Sequence, residues 1–262
     1  MSSRLPSELL DTIVDFLHDS RDALKSCCLT SKSWIPRTRT YLFADIRFYT
    51  VKNVESWKST FPDPSTSPAH YAKTLLIAHP RVATAMGADE GGWLQTFFRV
   101  VHLEVSGTDG GEFVNHSLVP LHGFSSAIRS LRLAYIPLPL PLIFNLIHSF
   151  PHLEDLSVIT RICITSNGGF NIQPVTAQFS SPRAFTGFLE LYGVNPIASQ
   201  LLSLPGGLHF RKIRLAWHHA DDILSTKLLV ESCCSTLESL CIDSGISGTS
   251  AHTYIRTNGR PL

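Results

Sequence analysis

Charged residues are scarce in this chain. Lys, Arg, Asp and Glu make up 16% of it, where about a quarter is usual. They almost cancel, leaving a formal net charge of +1. No field of one sign exists to hold nucleic acid or an anionic membrane, so neither is an expected partner. Long apolar runs are also missing. The stretch PLPLPLIFNLIHSF is broken by Pro137, Pro139 and Pro141 and is too short to span a bilayer. The start carries Arg4, Pro6, Glu8 and Asp11 with no apolar signal-peptide core, which predicts a cytoplasmic and/or nuclear protein.

Cysteine pairs at metal-ligand spacing are absent. The six cysteines fall at Cys27-Cys28, Cys163, Cys233-Cys234 and Cys241 without a CxxC, which disfavours a zinc ribbon. They read as buried free thiols of a reducing compartment. There is no GxSxG, Walker loop or GxGxxG. SGTDGGE and MGADEGGW contain glycines without phosphate-loop spacing and read as turns. WHHADD offers His218, His219, Asp221 and Asp222, but adjacent histidines on a strand point to opposite faces. Cys233 has no acid or histidine at i+3 or i+4, and Cys234 has only Glu238 at i+4. Neither cluster predicts a metal or catalytic site, so the expectation is a non-enzyme without cofactor. Lys32, Arg37 and Arg39 around Trp34 read as a solvated rim.

Apolar residues, by contrast, make up 44% of the chain. The first concentration lies at the N-terminus. Leu9, Leu10, Ile13, Val14, Phe16 and Leu17 exceed the single stripe a surface helix needs. Pro6 suits a helix first turn, and Ser20 suits the cap of a second helix holding Ala23, Leu24, Cys27, Cys28 and Leu29. A short third segment holds Trp34, and Tyr41, Leu42 and Phe43 close the unit. So small a unit encloses little core. Its surplus apolar surface either docks another protein or packs on the rest of the chain.

Leu5-Pro6, Glu8-Leu9-Leu10, Ile13, Leu17, Leu24, Cys28-Leu29, Trp34 and Leu42-Phe43 resemble, in order and spacing, an F-box. The loop HDSRD replaces the commoner Pro-Asp turn of that family. The resemblance implies that Leu5, Pro6, Leu9, Leu10, Ile13, Leu29 and Trp34 bind the Skp adaptor of a cullin–RING ubiquitin ligase.

The second pattern is a recurrence. FADIRF, AKTLLI, VVHLEV, IRSLRL, LEDLSV, TGFLEL, FRKIRL and LESLCI follow one another at steps of 24 to 33 residues. That is the leucine-rich-repeat period. In each copy the last two apolar positions are two apart and share one face of a strand. The first position is apolar in all but the copy beginning at Thr186. The intervening VKNVESWKSTF, LPLIFNLIHSF, IASQLLSL and STKLLVESC read as helices. Segments 62–69, 79–92 and 160–181 are rich in turn-forming residues and read as loops. After Ile242 the period is lost, which predicts a frayed tail or a short solenoid.

The expected fold class is therefore α/β: a short N-terminal three-helix F-box, then a leucine-rich-repeat-like solenoid with parallel strands. The expected divisions are 1–46 for the helices, 47–245 for the repeats and 246–262 for an irregular tail. PLHGFSSAIRSLRL and IFNLIHSFPHLEDLSV resemble basidiomycete fungal F-box proteins with degenerate leucine-rich repeats. The expected function is substrate recognition within an SCF-type ubiquitin ligase, leading to ubiquitin-dependent degradation of an unknown protein. The alternative is a non-ligase interaction scaffold. By frame, Glu104, Arg132, Asp155, Glu190, Lys212 and Arg214 face outward on the concave side and are the candidate partner contacts.

Overall fold

The computed structural model describes residues 6–87, 92–107, 118–136, 140–159, 185–192, 195–204, 207–217, 222–244 and 251–256. Three helices come first: α1 (Ser7–Phe16), α2 (Arg21–Thr30) and α3 (Ile35–Leu42), with a 3-10 turn at Lys32–Trp34 before the third. Ser20 caps α2 by accepting the Ala23 N–H at 3.4 Å. Pro36 sits in the first turn of α3, where its missing donor costs nothing. The unit buries little: Val14, Leu24, Cys27 and Thr38 are its fully covered residues. Cys28 and Thr38 meet at 2.8 Å and close the α2–α3 seam.

The rest of the described chain is a mixed α/β structure built on one sheet. Eight strands run parallel in chain order: β1 (Asp45–Phe48), β2 (Thr74–Ile77), β3 (His102–Ser106), β4 (Ser130–Ala134), β5 (Asp155–Ile159), β6 (Phe188–Tyr192), β7 (Lys212–Trp217) and β8 (Ser239–Ser244). Each falls on one of the eight recurring sequence elements. The register keeps equivalent positions side by side, so Leu75, Leu103, Leu131, Leu156, Leu189, Ile213 and Leu240 form one continuous row. Every member of that row is buried. A one-residue slip in any strand would move its apolar pair to the opposite face, so burial enforces the register.

Helices cover the apolar side. Those that follow are α4 (Val51–Thr60), α5 (Pro80–Gly87), α6 (Leu140–Ser149), α7 (Asn195–Leu202) and α8 (Asp222–Cys233). Val54, Met86, Phe144, Ile147, Leu201 and Leu229 deliver their buried faces to the same core as the strand rows. Thr50 and Asn53 form a reciprocal capping box at the start of α4. Ala72, Val100, Ile128, Leu153, Phe210 and Leu237, each two residues before a strand, are also buried. Where Thr186 breaks that apolar series, Phe185 one residue earlier fills the slot, fully buried and stacked on Phe210 at 5.4 Å.

Two expectations are corrected and one is refined. Segment 79–92 is not only a loop, because α5 occupies Pro80–Gly87. Val82, Ala83 and Met86 recur at helical spacing and bury completely, which outweighs the turn-like composition. Segment 62–69 holds two short 3-10 turns, Pro64–Thr66 and Pro68–Tyr71, capped by Asp63 and Ser67. The tail is not wholly irregular, because β9 (Ala251–Arg256) pairs antiparallel with β8 from Ser239↔Arg256 to Ser244↔Ala251. An antiparallel partner needs only a reversal and no crossover, so it leaves no trace in the repeat period. It also pairs the β8 edge that a parallel series leaves open. Segment 160–181 lies outside the described residues.

Candidate functional site

Two surfaces concentrate the features a partner would read. The first is on α1 and α2. Leu9, Ile13, Phe16 and Leu29 are exposed at 51%, 40%, 83% and 89%. Leu9, Ile13 and Phe16 are spaced four and three apart, so they share one face of α1. Of the residues that the F-box resemblance assigned to adaptor binding, Pro6, Leu9, Ile13 and Leu29 are exposed, and Leu10 and Trp34 are half-buried. Leu5 lies outside the described residues. Phe16 was not among those residues, although its i+3 spacing from Ile13 is legible in the sequence.

A polar latch holds this surface. Asp15 accepts Arg37 Nε at 2.6 Å and Nη2 at 2.7 Å, and the Tyr41 hydroxyl donates to it at 2.8 Å. Arg37 also lies over the Tyr41 ring, 5.6 Å from its centre. The Arg37 bonds, then that of Tyr41, hold the Asp15 carboxyl below the usual carboxylate range. Conversely, the carboxylate beside Tyr41 lifts its phenol above the ordinary value. Arg37 therefore does more than sit on a solvated rim: it fixes α1 against α3.

The second surface is the sheet face away from the helices. Arg47, Leu76, Glu104, Arg132, Ser157, Glu190, Arg214 and Cys241 are aligned across eight strands. Arg132 approaches Glu104 at 3.8 Å. Ser157 donates to Glu190 at 2.6 Å. Arg214 reaches Glu190 at 3.6 Å and Asp243 at 3.3 Å, and lies 6.0 Å from the Tyr192 ring centre. Burial opposes the Arg214 charge, but Tyr192, Asp243 and Glu190 outweigh it and hold the guanidinium above its ordinary value. Burial likewise raises the Tyr192 phenol. The Glu190 side chain is only 11% exposed.

The six residues expected on this face thus separate into two rows. Glu104, Arg132, Glu190 and Arg214 share the row just described. Asp155 and Lys212 belong to the adjacent one. Asp155 is committed to structure, because its Oδ1 accepts the Phe188 backbone N–H at 2.7 Å where β6 begins. Lys212 is exposed. Ser157, Tyr192 and Asp243 join the cluster unforeseen. Ser157 occupies the frame position equivalent to Glu104, whereas Asp243 lies beyond the six-residue frame.

Among the described residues no group of three or more His, Cys, Asp or Glu is placed to hold a metal. His218, His219 and Asp221 lie outside them. Cys27, Cys233 and Cys241 are buried free thiols, but Cys28 is half-buried and Cys234 exposed, so burial is not general. No helix among the described residues is long and apolar enough to cross a membrane. Comparisons of the chain with protein-family models, with curated proteins and with solved structures find no match.

Proposed function

We propose that this protein is a substrate-recognition adaptor of an SCF-type ubiquitin ligase. In this reading α1–α3 are an F-box that docks a Skp-type adaptor, and the remainder is a leucine-rich-repeat-like solenoid that holds the target. The observation that carries the reading is the exposure of Leu9, Ile13, Phe16 and Leu29 on two small helices whose own core is nearly empty. Exposed large apolar side chains on so small a unit are stabilised by a partner surface. The resemblance of residues 5–46 to an F-box names the partner class. The row from Glu104 to Arg214, of mixed sign, suits a polar target interface in which charge complementarity sets specificity. No group on this chain performs the transfer. Tethering raises the local concentration of target lysines near the charged ubiquitin-conjugating enzyme.

The test is co-purification of the full chain with a Skp-type adaptor and a cullin. Both are expected with the native chain, and neither with Leu9→Asp combined with Leu29→Asp. Retention of the adaptor by that variant overturns the docking assignment. Capture of the adaptor without cullin replaces the ligase reading with a scaffold outside the ligase.

A further inference from the structure

The sheet has one parallel edge without a neighbour among the described residues, that of β1. The carbonyls of Ala44 and Phe48 accept from Thr74 and Ala78 on the β2 side. Backbone groups alternate in direction along a strand, so the N–H and C=O groups of Asp45 and Arg47 point away from β2. Among the described residues β1 has only β2 as a ladder neighbour, and no backbone bond from a turn or loop reaches Asp45 or Arg47. An exposed strand edge of this kind is a template for another strand.

This edge is also recessed. A cleft of about 690 Å³ takes in every residue from Asp45 to Tyr49, including both the outward Asp45 and Arg47 and the inward Ile46 and Phe48. A hollow that touches both faces of one strand lies along its edge. Arg21, Leu24 and Tyr41 from the N-terminal helices contribute lining on one part of it, and Trp57 and Phe61 on another. Trp57 Nε1 is a buried donor without an acceptor among the described residues. The volume is within the range of ligand pockets, roughly 300–1,000 Å³. Four residues of strand need a length of about 13 Å.

We propose that the β1 edge takes up an extended peptide segment of a partner protein, which adds to the sheet as a further strand. The unpaired backbone groups of Asp45 and Arg47 call for an extended backbone, not a helix or a compact ligand. Lining residues from α2 and from α4 flank the edge, which suits a single strand more than the edge of a second folded sheet. Asp45 and Arg47 lie on the open face, paired at 2.5 Å. The peptide that complements them carries a basic residue across from Asp45, an acidic one across from Arg47, and between them an apolar residue turned toward Phe43 and Trp57. This site lies at the β1 end of the aligned row, away from the Leu9–Leu29 surface, and it does not rest on the adaptor reading.

The test uses the full chain and a library of random octapeptides displayed on phage, with enriched sequences remade as synthetic peptides. Enrichment of alternating charged–apolar–charged sequences is expected. N-methylation of the peptide at alternate residues should weaken binding about tenfold per lost hydrogen bond, and at the intervening residues hardly at all. Hydrogen exchange of the Arg47 amide should be fast in the free protein and slowed by bound peptide. Arg47→Pro removes that one donor and spares the β1–β2 ladder, because a proline facing out from an edge strand is tolerated, and it should abolish binding. Failure of any sequence to enrich above an unrelated control protein overturns the proposal. So does binding indifferent to the position of the N-methyl group, a readout taken on the native chain and independent of how the proline variant folds.

Discussion

Asp15 and Arg37, 22 positions apart in sequence, form a two-pronged ion pair at 2.6 and 2.7 Å that fixes α1 to α3. The fork of the guanidinium matches the carboxylate, which sets orientation as well as contact. Asp15→Asn keeps the size and loses the charge. It should free α1, increase proteolysis between α1 and α2, and weaken adaptor binding while leaving the sheet intact. Limited proteolysis followed by mass spectrometry checks this.

The same pair predicts an acid limit. The folded Asp15 carboxyl titrates below its unfolded value of roughly 4. Its contribution to stability is therefore complete above that unfolded value and fades as the pH falls through the lower folded one. Thermal melts of native and Asp15→Asn chains should differ at neutral pH and converge in strong acid. A gap independent of pH would rule out the pair as its cause.

Leu9 and Leu29 are exposed, so charging them should cost the fold little, within about 0.5 kcal/mol each. Thermal stability of Leu9→Asp and Leu29→Asp should match that of the native chain, while adaptor binding is lost. A large fall in melting temperature would show that these side chains are covered by the chain itself.

Glu190 anchors the charged row from a mostly buried position. Glu190→Ala strands the Ser157 hydroxyl and takes one partner from Arg214, at a cost of about 1–3 kcal/mol. Lys212→Ala, exposed in the next row, should be nearly neutral. Urea unfolding of the two variants separates them.

Gly187 passes close to β5. A Cβ there would overlap Asp155 Oδ1 and press on the Glu154 carbonyl at 2.9 Å. Gly187→Ala should therefore dislodge the Asp155 carboxylate from the Phe188 N–H and destabilise the entry to β6. Gly123→Ala is penalised through backbone conformation instead, because φ there is +65°. Melting temperatures of both variants, each lower than native, with Asp155→Ala reducing the further effect of Gly187→Ala but not that of Gly123→Ala, are the expected pattern.

Much of this architecture was legible in the residues. The period of the eight elements located eight strands, because a strand buried on one face must repeat its apolar pair two positions apart. The helical spacing of Leu24 and Cys27, or of Phe144 and Ile147, likewise placed buried faces on helices. The segment at 79–92 misled, because its Pro, Gly and Thr suggest turns while Val82 and Met86 answer to a core that only neighbouring units supply.

What the chain determined by itself is local and periodic: where strands and helices lie, which of their faces turn inward, and which apolar side chains on α1 and α2 exceed the needs of a small core. Tertiary structure decided what depends on neighbours distant in sequence. It made Asp155 a strand anchor, brought Asp243 and Tyr192 to Arg214, and paired β9 with β8 against the direction of the rest. It also left β1, among the described residues, with a recessed edge that no other strand pairs. The physical reason is that periodicity records only whether a position meets water or core, whereas hydrogen bonds and ion pairs depend on which particular group arrives opposite.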